Sequence, residues 1–330
     1  MDAETPQTPA LPGRLTNLRS RRARAQDGPP TSVFVLGTMF SGSTLIGRDM
    51  TTRIKKAHYV GELHNYTQVP VLSHPESGAG CGMCNITGKN CRHFTDELKK
   101  EASYEDIFDI HRRLARSLDA SVVIDGSKFA AWLQRALRQQ GSDPAQWAPV
   151  KAIITVRNPV AYSISNRNRT GDPLWRSAGL WRDTYVDALR TVNISGLPSM
   201  VVRYEDYMAN RDASLRRLAA FFGLPLESEP DNSSIHDTGG NWSSYVPYVN
   251  RDQFERHIER LGAGRESAES FMRDSRAYWN DAEPKEDTRW HGSLQSGEAN
   301  VILSTPGLSD VANLLGYNVA EVVHRAVRNP

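Results

Sequence analysis

Ser32–Met50 reads S-V-F-V-L-G-T-M-F-S-G-S-T-L-I-G-R-D-M. Its first part, Val33-Phe34-Val35-Leu36, is a short apolar run rich in β-branched residues, the pattern of a strand buried on both faces. Gly37 ends the run. Small residues follow at Ser41, Gly42, Ser43 and Thr44, and Leu45-Ile46 with Arg48-Asp49-Met50 then reads as a helix. A strand, a tight turn and a helix N-terminus make an anion site, because free backbone N–H groups and the positive end of the helix dipole converge there. Gly37 and Gly42 have the spacing of a phosphate-binding G-x-x-x-x-G-K-[ST] loop, but Ser43 stands at the lysine position. The usual contact to β- and γ-phosphates is therefore missing. The loop suits a phosphate group without pointing to ATP hydrolysis; the competing reading is an ordinary strand-to-helix turn.

The same strand-then-turn pattern recurs along the chain. His58–Val60 forms a short strand ending at Gly61-Glu62. Val122-Val123-Ile124 ends at Asp125-Gly126-Ser127-Lys128, with a helix over Phe129–Leu137. Val150–Val156 ends at Arg157-Asn158-Pro159, and Pro159 suits a first helical turn. Met200–Asp206 is a further strand with a polar end. Glu97–Leu118, Trp175–Val192 and Ser214–Phe222 read as helices, the last stopping at Gly223. This order predicts an α/β fold with a parallel, doubly wound sheet, helices on both faces and a P-loop-like nucleotide-binding core. In such sheets ligands sit at the C-terminal strand ends. Glu62 or His64 is then placed to act as a general base, and Lys128 to meet an anion. Arg157 and Ser165 lie about two helical turns apart and are expected to meet only across a bridging phosphate, which the forked guanidinium suits. Against these stand plainer readings, a surface carboxylate for Glu62 and a solvated turn residue for Lys128.

Composition narrows the class. The chain has 330 residues, 24% charged and 39% hydrophobic, with a net charge of +2. That is ordinary for a globular protein and gives no pull toward nucleic acid or membrane. No apolar run approaches a transmembrane span, and the N-terminus lacks a signal-peptide core. The three cysteines, Cys81, Cys84 and Cys91, are local neighbours rather than a spread disulfide framework. A reduced, cytoplasmic location is expected. Cys81-x-x-Cys84 with Cys91 and His93 offers a Cys₃His zinc set, ranked behind free structural thiols. Residues 1–30 are expected to be a disordered basic tail and residues 31–330 one domain, with a cysteine loop at 75–95 and a charged helical insertion or lid at 251–287. Between them, the loop Asp231–Val249 carries His236 and the pair Gly239-Gly240, whose glycines allow close backbone approach to a ligand.

Taken together, the motifs resemble the sulfotransferases that use 3′-phosphoadenosine-5′-phosphosulfate (PAPS). Met39-Phe40-Ser41-Gly42-Ser43-Thr44 is similar to their P-R-S-G-T-T loop, which holds the 5′-phosphosulfate. Arg157-Asn158-Pro159 with Ser165 is similar to their R-[DN]-P-x-x-x-x-x-S helix start, which holds the 3′-phosphate. Gly61-Glu62-Leu63, Asp125–Lys128, Tyr204-Glu205-Asp206 and Gly239-Gly240-Asn241 also fit. The likeness spans about Val33–Asn241 and is to the bacterial and Golgi-like branch. A bacterial subgroup also carries a C-x-C-G…C-P-F-W segment, to which Cys81–Phe94 is similar. The resemblance implies PAPS as donor and 3′,5′-bisphosphoadenosine (PAP) as product. It implies Glu62 as base with His64 in reserve, Lys128 on the transferring group, and donor contacts from Thr38 through Thr44, Arg157, Ser165, Gly240 and Asn241. No metal is needed for the transfer, and the acceptor would be a small molecule or glycan bearing a hydroxyl, or a tyrosine. Phe40 stands where the family's loop carries a basic residue, which leaves its charge to Lys128 or Arg48. The alternatives are a P-loop kinase or NTPase with a degenerate loop and a catalytically idle nucleotide-binding protein. Oligomeric state is not readable from these features.

Overall fold

The computed structural model describes residues 29–64, 80–95, 97–98, 106–140, 148–238, 249, 251–260 and 287–327. The expected tail over 1–28, most of the expected lid, and Gly240 and Asn241 lie outside the described residues. The strands are β1 (Thr31–Gly37), β2 (Ala57–Gly61), β3 (Val122–Lys128), β4 (Val150–Val156) and β5 (Ser199–Arg203). All pair in parallel, in the order β2-β3-β1-β4-β5. Every connection must therefore cross over the sheet, and helices supply the crossovers.

Alternation along β1 sorts those helices between the two faces. Val33 and Val35 point to one face, where α1 (Ser43–Arg53) packs. Phe34 and Leu36 point to the other, where α3 (Ile107–Leu118), α4 (Ala130–Gln139), α5 (Pro159–Thr170) and α6 (Leu174–Ser195) pack. After β5 come α7 (Tyr204–Ala209) and α8 (Arg211–Phe222), and Leu215, Leu218 and Phe222 of α8 join the α1 face. All four β1 side chains are at most 1% exposed, each worth roughly 1.5–3 kcal/mol on burial. The fold is the α/β, doubly wound sheet that the sequence pattern predicts.

Three boundaries differ from expectation. Tyr204-Glu205-Asp206 opens a helix rather than ending a strand, and Arg203 salt-bridges Asp206 one turn on. Within the helix expected over Glu97–Leu118, α3 starts afresh at Ile107, where the Asp106 side chain caps the Phe108 N–H at 2.7 Å; residues 99–105 lie outside the described residues. The cysteine segment, expected as loop, contains a short helix, α2 (Gly82–Thr87), against which α9 (Arg251–Arg260) packs. The C-terminal helices α10 (Ser296–Leu303), α11 (Leu308–Leu314) and α12 (Val319–Ala326) close over the α6 side. No helix among the described residues is long and apolar enough to cross a membrane.

One buried ion pair joins distant parts of this frame. Arg48 of α1 donates from Nε to Asp237 Oδ2 at 2.7 Å and from Nη2 to Oδ1 at 3.3 Å, and neither side chain is exposed. Asp237 belongs to the segment that runs along β2: Thr238 N–H and its hydroxyl each reach Val60 O at 3.0 Å, and Glu62 N–H reaches Thr238 O at 2.8 Å. Gly61 sits at φ 82, and a Cβ there would lie 2.2 Å from Thr238 O, so only glycine admits this contact. Breaking one side of a buried pair is costly because it strands a charge. Arg48→Met should lower unfolding stability in urea by about 3–5 kcal/mol, and adding Asp237→Leu should recover much of that loss; equal stability of Arg48→Met and wild type would show that the pair does not hold the segment.

Candidate active site

The register places the polar strand ends along one edge of the sheet. Leu36 pairs with Lys128 across β1 and β3, and Gly37 with Thr155 across β1 and β4. The loop after β1 therefore lies between the ends of β3 and β4, at the point where the chain leaves the central strand for opposite sides. Such switch points are where open α/β sheets bind ligands.

The loop itself is built around two residues with positive φ, Phe40 at 63° and Gly42 at 80°. A Cβ on Gly42 would lie 2.5 Å from the Tyr204 ring. Gly42 precedes α1 without a side-chain cap, and the amides of Gly42, Ser43, Thr44 and Leu45 donate to no acceptor among the described residues. Four open donors at a helix N-terminus are what an anion needs. Ser43 is buried and Thr44 half-buried beside them. Thr38 and Ser41 have other partners. Thr38 donates its N–H and hydroxyl to the Tyr185 oxygen, at 3.4 and 3.3 Å, while Tyr185 donates to Thr155 O at 2.8 Å. Ser41 Oγ bonds Thr155 Oγ1 at 3.0 Å. Both residues brace the loop against β4, and Met39 is half exposed at its tip.

On the β3 side, Lys128 donates directly to Glu62 Oε1, and both side chains are largely buried. Lys128 has a left-handed backbone, φ 67, held by the preceding turn. Asp125 accepts from Ser127 N–H at 2.9 Å, from the Ser127 hydroxyl, and from Trp132 Nε1 at 2.7 Å. The His111 ring stands 3.5 Å behind the same carboxylate and bonds Ser32 Oγ at 2.8 Å. His64 donates its N–H to Ser127 Oγ at 3.1 Å and packs its ring edge-to-face on Phe129, 4.8 Å between centroids. Burial lowers the His64 pKa, with Lys128 adding to it and the Glu62 and Asp125 charges opposing. The shift favours its neutral form.

On the β4 side, Asn158 caps α5 by accepting from Ala161 N–H at 2.7 Å, and Pro159 opens the helix. Arg157 is fixed by its neighbours: Trp181 Nε1 donates to its carbonyl at 2.9 Å, and its guanidinium lies 5.2 Å from the Tyr204 ring centroid. Nη1 reaches Phe40 O at 3.4 Å and Ser165 Oγ at 3.5 Å, while Nη2 donates to Asp287 Oδ2 at 3.0 Å. The structure thus brings Arg157, Ser165 and the loop together, and Glu62 to Lys128. It commits Arg48, the second candidate for the loop's missing charge, to Asp237.

Three residues take part through contacts the sequence reading did not assign. Asp287, at the end of the expected lid, reaches Arg157. Tyr204, noted in its motif but placed in a strand, lies under the Arg157 guanidinium. His236, noted in its loop, meets Cys81 155 residues away. The Cys₃His set of Cys81, Cys84, Cys91 and His93, weighed behind free thiols, is not the cluster the structure forms: the three thiols, free of disulfides, surround His236 instead of His93. Both ring nitrogens of His93 are already used: Nε2 accepts from Arg92 Nε at 3.1 Å and Nδ1 bonds Ser117 Oγ at 2.7 Å.

No family model and no curated protein matches this chain. Among solved structures, it is similar to a sulfotransferase from Alicyclobacillus acidocaldarius, at 17% identity and TM-score 0.39, over 70% of this chain and 94% of that one. It is also similar to the sulfotransferase domain of the Synechococcus PCC 7002 olefin synthase, at 15% identity and TM-score 0.39, over 84% of this chain and 94% of that one. Likeness at this level leaves the chemistry to be read from the site itself.

Burial alone would raise the Asp287 carboxyl, but hydrogen bonds from Arg289 and the charges of Arg157 and Arg289 outweigh it and hold the pKa well below the usual carboxylate range. A carboxyl depressed on folding stabilises the fold above its unfolded pKa and loses that contribution as pH falls through the folded value. The stability difference between wild type and Asp287→Asn should be constant from neutral pH down to about 5 and shrink below about 4. A difference that grows on acidification would contradict the pairing.

Proposed function

We propose that this chain is a PAPS-dependent sulfotransferase acting on an acceptor hydroxyl. The observation that carries the reading is the placing of two sets of groups on either side of one phosphate-type loop. The Glu62–Lys128 pair ends β2 and β3 on one side, and Arg157 with Ser165 follows β4 on the other. A donor with a phosphosulfate and a separate 3′-phosphate needs this division, whereas a linear triphosphate has no use for a second phosphate site beside the loop.

In this reading the open amides of Gly42–Leu45 cradle the 5′-phosphate, with the Ser43 and Thr44 hydroxyls beside them. Arg157 and Ser165 take the 3′-phosphate, which replaces Asp287 at Nη2. Sulfuryl transfer resembles phosphoryl transfer, with in-line attack and a loose transition state, so positioning and charge stabilisation do most of the work. The acceptor oxygen forms a bond to sulfur as the bond from sulfur to the bridging oxygen breaks. PAP leaves with the electron pair, and the hydroxyl proton passes to Glu62. Lys128 turns from Glu62 to the bridging oxygen as charge develops there, supplying the cation that Phe40 does not. His64, neutral and packed on Phe129, flanks the base rather than replacing it. Phe129 is half exposed beside Lys128 and offers an apolar wall to the acceptor, suited to a phenol ring or a sugar face.

A positioned general base contributes about 10²–10⁴-fold. Glu62→Gln should lower PAP release from PAPS by that factor across a panel of phenolic and carbohydrate acceptors, while PAP affinity stays within a few fold of wild type. Turnover near wild type would remove Glu62 from the reaction and shift the base to His64.

A further inference from the structure

Three thiols and one imidazole meet beside β2. Cys81, Cys84 and Cys91 flank and enter α2, and His236 arrives from the segment that the Arg48–Asp237 pair anchors. The three Sγ atoms lie 3.7, 3.5 and 3.7 Å from His236 Nδ1. One ring nitrogen carries either one proton or one lone pair, so it can bond one thiol and has no reason to sit equally near three. A tetrahedral zinc ion gives that arrangement. With Zn–S about 2.3 Å and Zn–N about 2.0–2.1 Å, ligand atoms stand about 3.5–3.8 Å apart. The four groups all lie within 4.8 Å of one another, and the cysteines are not joined in a disulfide. The Phe94 N–H also donates to Cys91 Sγ at 3.4 Å, the outer bond that steadies a ligating thiolate.

We infer that Cys81, Cys84, Cys91 and His236 Nδ1 bind one zinc ion in a closed, structural site. Three thiolates and an imidazole are a donor set for Zn²⁺ and a poor one for Mg²⁺ or Ca²⁺. Four protein ligands leave no position for substrate. On binding, the three thiols lose their protons to solvent and the metal takes their lone pairs, with no change of oxidation state. The site acts at a distance through the backbone. Gly82 N–H donates to Asp237 O at 2.9 Å, Cys81 and Gly61 both bridge to Thr238, and Thr238 O holds the Glu62 N–H. Zinc therefore clamps the cysteine segment to the strip that positions Glu62, and is a positioning element for that carboxylate rather than a reactant.

The test is zinc content by plasma mass spectrometry on the full chain, with any affinity tag removed, purified under reducing conditions without chelator. Wild type and His93→Ala should each hold one zinc per chain, and the double variant Cys84→Ser/His236→Ala should hold almost none. Because removing two ligands also threatens the fold of that variant, wild type is titrated in parallel with a mercurial in the presence of a zinc-responsive dye. Release of one zinc per three modified thiols supports the site. Zinc-free wild type with three freely reactive thiols would overturn it, as would zinc retained by the double variant or lost from His93→Ala.

Discussion

The Arg48–Asp237 ion pair ties the helix that follows the phosphate-type loop to the strip that lines β2. Both charges are fully buried, so their attraction is set against a desolvation cost of several kcal/mol per ion, and two apolar side chains could serve stability as well. What the pair adds is registry. A forked guanidinium meets a carboxylate in few orientations, and this one fixes the approach of residues 236–238 to α1. Three features hang on that approach: the imidazole at the centre of the cysteine cluster, the carbonyl that holds Glu62, and the close contact that requires glycine at position 61.

The sheet supplies the other constraint. With β1 between β3 and β4, the chain must turn at the C-terminal edge, and the turn leaves helix amides without internal partners. The groups around it are held from behind. Asp125, backed by His111, sets the turn that aims Lys128. Tyr185 and Thr155 brace Thr38 and Ser41, while Glu205, bonded to Asn158 at 2.7 Å and Tyr317 at 2.6 Å, steadies the start of α5. Thr38 and Ser41 of the loop thus serve as struts, and the amides of Gly42–Leu45 are left without acceptors among the described residues.

The parts of this arrangement that were legible in the sequence are those written in local pattern. The apolar run at Val33–Leu36, the alternation that buries β1 on two faces, and the proline after Arg157 each carry their structure within a few residues. Legibility failed where a partner lay far along the chain. Tyr204-Glu205-Asp206 looks like a polar strand end, but Glu205 is drawn to Asn158 and Tyr317, and the backbone turns into a helix. His93 was the natural fourth ligand by proximity, yet Arg92 and Ser117 take both its nitrogens, and the imidazole that meets the thiols lies 155 residues along the chain from Cys81. Asp287 is one acid among many in its stretch, and only the fold brings it to Arg157.

The central claim is that the loop and Arg157 together hold two separate phosphates. A thermal-shift titration of the full chain with PAP and with ADP, on wild type and Arg157→Ala, tests it most directly. At 100 times its dissociation constant, a ligand stabilises the fold by about 2.7 kcal/mol. The account predicts a rise in melting temperature with PAP, none with ADP, and loss of the PAP response in Arg157→Ala. A rise with ADP and Mg²⁺ but not with PAP would contradict it and return the loop to the P-loop kinases.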